Sequence, residues 1–198
     1  MRRYFSYRIF VVSILAQFGC TAGKTLFQRE PRPQRVTAVP AEIIQRYKLK
    51  GDFYKKYVDV GGVPLMSSEK VDDRALLEAR YTILQVLKGR KDILEAMSSK
   101  NLRLGVMAYN EFTTDMPETS KMNPWWNKRA RGLGGNPTTC AEENVLNFPG
   151  DPYRGENILI HEFAHAIHHS GMRVLDDTFD KRLKALFKKT KESGRFSG

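Results

Sequence analysis

All four histidines of the chain fall within nine residues: His161, His165, His168 and His169. His161 and His165 are four apart, so a helix would place them on one side, about 6 Å apart along its axis. Two imidazole nitrogens so arranged can converge on one zinc ion at about 2.0–2.1 Å. Glu162 is turned by roughly 100° from His161 and faces the position the two ligands leave open. A carboxylate there can hold a water and take its proton as the water attacks a carbonyl. Zinc assists by making the water more acidic and by polarising the carbonyl. The pattern predicts Zn2+ as cofactor, His161 and His165 as metal ligands and Glu162 as the catalytic base of a hydrolysis.

Residues around the triplet bear on that reading. Ile158, Leu159, Ile160, Phe163, Ala164, Ala166 and Ile167 are apolar, and Glu162 is the sole formal charge among them. This predicts a buried helix with one isolated polar stripe. The competing reading is a core helix with hydrogen-bonded histidines, but burying two histidines and a glutamate without a metal would be costly. His168 continues the stripe, yet it stands roughly 10 Å along the axis from His161, too far to share the ion easily. It reads as a partner behind the ligands or, more simply, as the rim of the cleft. The pattern in which a glycine and then a third histidine follow is absent: His168 occupies the first of those places and Gly171 the second.

At these residues the chain resembles the HExxH metallopeptidases, the zincins, over Ile158 through Ile167. The missing third histidine places the resemblance on the gluzincin side. Upstream, Arg129-Ala130-Arg131-Gly132-Leu133-Gly134 and Glu142-Glu143-Asn144, followed by Pro149-Gly150-Asp151-Pro152-Tyr153, resemble a poorly characterised group of secreted HExxH proteins; that second likeness runs from Val71 to the C-terminus. The resemblance implies peptide-bond hydrolysis and names no substrate. It also implies a third ligand, a glutamate on a later helix. The acids after His165 are Asp176, Asp177, Asp180 and Glu192, and each has a plainer role as a helix cap or on a solvated, lysine-rich face. Gly194-Arg195-Phe196-Ser197-Gly198 is similar to the turn that precedes the glutamate helix in such proteins. The expectation is a catalytic domain over 41–198 that is incomplete at its C-terminal end, with zinc weakly held.

The elements that must position the triplet can be read in outline. A helix is predicted over Tyr153–Ser170, stopped by Gly171. Asp72 or Asp73 caps an earlier helix whose apolar face is Leu76, Ala79, Ile83, Leu84 and Leu87, ended by Gly89. A second short helical piece spans Lys91 to Met97. Leu102, Leu104, Val106 and Ala108 alternate with other residues as in a strand with one buried face. Tyr57–Val60 and Val63–Met66, split by Gly61-Gly62, predict two strands about a turn. A short helix begins at Ala41, and an amphipathic helix begins near Asp177 with Phe179, Leu183, Leu186 and Phe187 on one face. The stretch 110–155, rich in Pro, Gly, Asn and Thr, predicts a long functional loop.

The 198 residues, 41% of them apolar, suit one compact domain. Arg2, Arg3 and Arg8, then the apolar run Ile9–Ala16, then small residues at Gly19–Gly23 have the layout of a signal peptide over 1–22; the run is too short to span a bilayer. A buried N-terminal helix fits less well, because the polar, proline-bearing linker over 23–40 follows. The expectation is a secreted protein without stable membrane insertion after cleavage. Leaving out the three leader arginines lowers the formal charge from +11 to +8. With Cys20 in the leader, Cys140 stands alone, as a free thiol or half of an incomplete bridge. Trp125-Trp126-Asn127-Lys128-Arg129 mixes aromatic and basic residues as a nucleic-acid platform does. For an exported chain a packed loop beside the cleft is the better reading, so no nucleic-acid partner is expected. Glu142, Glu143 and Tyr153 are left without a catalytic role.

The sequence therefore predicts an α+β, zincin-like domain that hydrolyses peptide or protein substrates. The alternative is a catalytically silent secreted protein that keeps the same shell to bind a partner. A third reading, a basic protein binding anionic glycans or membranes, rests on charge alone.

Overall fold

A computed structural model describes residues 35–49 and 52–194. The expected signal peptide, most of the linker and the terminal residues 195–198 lie outside the described residues. The fold is α+β, built on a five-stranded mixed sheet in the order β1-β2-β3-β4-β5. The strands are β1 (Thr37–Ala38), β2 (Lys56–Val60), β3 (Val63–Ser67), β4 (Leu104–Met107) and β5 (Thr138–Ala141). The first three pair antiparallel, and β3–β4 and β4–β5 pair parallel. The end of the predicted linker is thus an edge strand, Thr37 facing Tyr57 and Ala38 facing Lys56.

The β2–β3 hairpin follows from its two glycines. Gly61 and Gly62 take φ of 62° and 91°, the pair of positive values that a tight hairpin turn of the right twist demands. Helix α1 (Ala41–Tyr47) precedes it and buries none of its residues. After β3 the chain enters α2 (Asp73–Val86). The Asp72 side chain accepts a hydrogen bond from the Arg74 N–H at 2.9 Å, and Leu76, Ala79 and Ile83 are buried. Helix α3 (Lys91–Ser99) then returns the chain to β4.

In β4 the structure differs from the one-sided strand predicted over 102–108. All four residues of Leu104–Met107 are buried. Leu104 and Val106 join the main core with α2. Met107 joins a second cluster with Met116, Ala141 and the partly buried Phe53 and Tyr54. A chain segment covers the far face of the sheet, so both sides of the strand are dry. Gly105 makes room for that cover: a Cβ there would lie 2.7 Å from Met116 Cε.

The long loop expected over 110–155 also holds structure. It contains a 3-10 turn at Thr113–Asp115, helix α4 (Trp125–Arg129), strand β5 and a single helical turn, α5 (Glu142–Val145). The predicted packed loop at Trp125 is this short helix, its two tryptophan rings edge to face at 5.3 Å and Trp125 exposed. Cys140 sits in β5, in the main core beside Phe163 and Ile158. It is free and buried, and burial pushes its thiol up to about 12. A thiol that stays protonated inside a core packs as a small hydrophobe.

Helix α6 (Ile158–Ala166) lies against β5, α2 and α5. It starts later than the predicted Tyr153, because Asn157 caps it: its side chain accepts from the Ile160 N–H at 3.0 Å. Nor does it stop at Gly171. The helix widens into a π-helical turn over Ile167–Met172 and runs on through α7 (Arg173–Leu175). Gly171 is buried, and a Cβ there would meet Ile93 Cγ2 at 2.7 Å. It serves the close approach of α3 and not helix termination. The final helix, α8 (Phe179–Glu192), buries Phe179 and Leu183, while Leu186, expected on the same face, is exposed. Among the described residues no helix is long and apolar enough to cross a membrane.

Candidate metal centre

The apolar side of α6 decides where its polar side points. Ile158, Leu159, Phe163 and Ala166 are buried, and Phe163 is the largest fully buried side chain of the helix. The helix is therefore not buried all round, as its sequence suggested. Its second side is partly exposed, and there His161, Glu162 and His165 stand together. One ligand atom from each can be chosen so that all lie within 4.8 Å of one another. His161 Nε2 is 3.8 Å from Glu162 Oε1, and the His161 and His165 rings are 5.5 Å apart. Two imidazoles beside a carboxylate on one side of a helix are a donor set that fits zinc.

The segment Arg131–Gly134 closes one side of this group. Leu133 and Thr139 form an antiparallel bridge, with the Thr139 N–H donating to the Leu133 carbonyl at 2.9 Å and the Leu133 N–H to the Thr139 carbonyl at 3.3 Å. The segment thus runs along the outer edge of β5 and over α6. Glycines at alternate positions make this possible. A Cβ on Gly134 would lie 3.1 Å from both Glu162 Oε2 and His165 Cβ; one on Gly132 would lie 2.5 Å from Ile158 Cγ2 and 2.7 Å from the Thr139 carbonyl oxygen. The backbone oxygen cannot step aside. Gly132→Ala is accordingly expected to cost about 1–3 kcal/mol by overpacking, measured as a lower urea midpoint with unchanged m-value; an unaltered midpoint would mean that the segment rides free of α6.

Arg131 anchors the segment at the other end. Its guanidinium meets Glu143 in a two-pronged pair, Nε to Oε1 at 2.5 Å and Nη2 to Oε2 at 3.1 Å. It also donates to the carbonyls of Ala108, at 3.0 Å, and Glu111. Neighbouring Glu142 accepts from the N–H groups of Asp72 and Tyr109 at 2.8 and 2.9 Å. The two glutamates left unassigned in the sequence therefore tie α2, β4 and the Gly132–Gly134 segment together. Tyr153 gives its hydroxyl proton to the Arg129 carbonyl at 2.8 Å, an occupation that fits packing.

Among the described residues, the only group of three or more such side chains whose ligand atoms converge is His161, Glu162 and His165, so His168, His169 and the acids after His165 lie outside it. His168 bonds Asp180, Nε2 to Oδ1 at 2.6 Å, and stacks on His169 with ring centres 4.6 Å apart. It is not a bare rim, because that bond pins the π-helical turn to α8. Asp180 also pairs with Arg173 at 3.2 Å, so it is not the merely solvated acid the sequence suggested. The His168 hydrogen bond, first, and then the Arg173 charge hold the Asp180 carboxyl below its usual range. Asp176 accepts from Thr178 and pairs with Arg182. Asp177 is exposed, and Glu192 pairs with Lys188 at 3.9 Å. Among the described residues the group thus offers two histidines and Glu162, and no third protein ligand of the usual kind.

Sequence reasoning missed Glu156. Its carboxylate meets His161 Nδ1, on the side of the ring away from Nε2. The only signal was its place five residues ahead of His161, in a stretch too rich in turn residues to be read for register. Compared with known proteins, the chain matches no family model, no curated protein and no solved structure.

Proposed function

We propose that the chain is a secreted, zinc-dependent peptidase with a zincin-like catalytic domain. The observation that carries this reading is the convergence of His161, Glu162 and His165 on the partly exposed side of α6, beneath a backbone segment at a sheet edge. His161 and His165 would hold the ion. When bound, zinc would supply Lewis acidity toward the substrate carbonyl and a more acidic water. Glu162 would take the proton of the attacking water on a carboxylate oxygen and pass it to the leaving amine nitrogen. Leu133 turns its own N–H and C=O toward β5, so an antiparallel strand directs the main-chain groups of Gly132 and Gly134 to the opposite edge. An extended peptide could add there by main-chain hydrogen bonds, which suits a substrate recognised as a peptide. Secretion rests on the basic, apolar and small-residue leader over 1–22.

Metal analysis tests the reading. The purified chain dialysed against zinc is expected to retain the ion stoichiometrically, and His161→Ala with His165→Ala is expected to lose it. Absence of zinc from the unaltered chain would end the proposal. The scarcity of ligands favours one other reading, a silent binding protein built on the same shell. It predicts that a peptide library is left uncut by the zinc-loaded protein, with or without chelator.

A further inference from the structure

We propose that Glu156 is the positioning residue that turns His161 into a metal ligand, by holding the imidazole in the tautomer with its proton on Nδ1. This rests on the reading of the site as a zinc centre. A neutral imidazole can coordinate only through the nitrogen that lacks the proton, so the partner of one ring nitrogen decides what the other can do. An ionised carboxylate can only accept, so the contact between Glu156 and His161 Nδ1 places the ring proton there and leaves the lone pair on Nε2, 3.8 Å from Glu162 Oε1. A carboxylate behind a histidine ligand also raises its basicity and fixes the ring plane.

The position of Glu156 is built, not incidental. It lies outside α6, on the turn that leads into it, and the side chain is 40% exposed. Its backbone is held by Asn144 of α5, which is buried. Asn144 Nδ2 donates to the Glu156 carbonyl at 2.9 Å and to Asp151 Oδ2 at 2.8 Å, while Asn144 Oδ1 accepts from the Ile158 N–H at 2.7 Å. Asp151 in turn accepts from the Tyr153 N–H at 2.9 Å, and the Glu156 N–H donates to the Tyr153 carbonyl at 2.9 Å. One buried amide thus sets both the start of the ligand helix and the residue behind its first ligand. The stretch from Asn144 to Glu156 becomes a bracket for the His161 ring. A solvated ion pair at this place would need no such bracket.

The test uses the full chain, metal-free and in solution basic enough to keep histidines neutral. Nitrogen-15 spectra of the His161 ring report which nitrogen carries the proton. The unaltered chain is expected to show a protonated Nδ1 and a bare Nε2. In Glu156→Ala the proton is expected to shift toward Nε2, and zinc affinity, measured by competition with a chromophoric chelator, to fall about 10–100-fold. Glu156→Gln keeps an acceptor of the same reach and is expected to restore the tautomer and most of the affinity. Exposure of the side chain makes misfolding of either variant unexpected, and unchanged spectra of the other three histidines check this. The same tautomer in Glu156→Ala as in the unaltered chain, or an unchanged zinc affinity, overturns the proposal. If the unaltered chain takes up no zinc, the reading of the metal site falls, while the tautomer comparison still decides whether Glu156 governs His161.

Discussion

Glu162→Gln is expected to lower the kcat for peptide cleavage by roughly 10²–10⁴-fold, about 2.7–5.5 kcal/mol of transition-state stabilisation. The substitution keeps the shape of the side chain and its packing beneath Gly134, 3.1 Å from where a Cβ would be. What it removes is the ability to accept a proton. Zinc uptake is therefore expected to stay near that of the unaltered chain, and KM to change far less than kcat, because the loss falls on the transition state. The pairing of a dead reaction with an intact metal site is the signature sought. Cleavage that survives Glu162→Gln would show that proton transfer runs through another group. A parallel loss of zinc would instead make Glu162 a ligand.

The second large effect is structural. Glu143 is buried and Arg131 nearly so, with side chains 8% and 11% exposed. Glu143→Ala leaves a guanidinium charge in that environment without its carboxylate, a change that typically costs about 3–5 kcal/mol. For a domain of this size the melting temperature is expected to drop by about 6–20 °C. The damage should not stay local. Arg131 also binds the Ala108 and Glu111 carbonyls and leads directly into Gly132–Gly134, so the segment over Glu162 loosens when its anchor is freed. Activity measured well below the melting temperature should therefore fall as well. A loss under about 1 kcal/mol would place the pair among solvated ion pairs of little worth.

How far the sequence reaches is clear from single residues. His161, Glu162 and His165 could be grouped from spacing alone, because all three belong to one regular helix and helical geometry supplies the distances. Gly61-Gly62 and Asp72 were equally readable, since a hairpin turn and a helix cap are local chemistry. Strand β5 was not. Thr138-Thr139-Cys140-Ala141 is a run of only four between turn-forming residues, and it is a strand because β4 pairs with it in parallel, a contact from 34 residues upstream (Val106 with Cys140). Glu156 failed for the same reason: its role depends on a bracket closed by Asn144. Gly171 misled differently. Helix termination and close packing both select glycine, and only the nearness of Ile93 separates them.

The π-helical turn at Ile167–Met172 has a consequence for what histidine spacing can be taken to mean. A turn that closes over one more residue than an α-turn shifts the phase of everything beyond it by about 100°. His161, His165 and His168 look collinear on an unbroken helical wheel. His168 lies inside the wider turn and bonds Asp180, so a place on that wheel does not by itself make it a third member of the group.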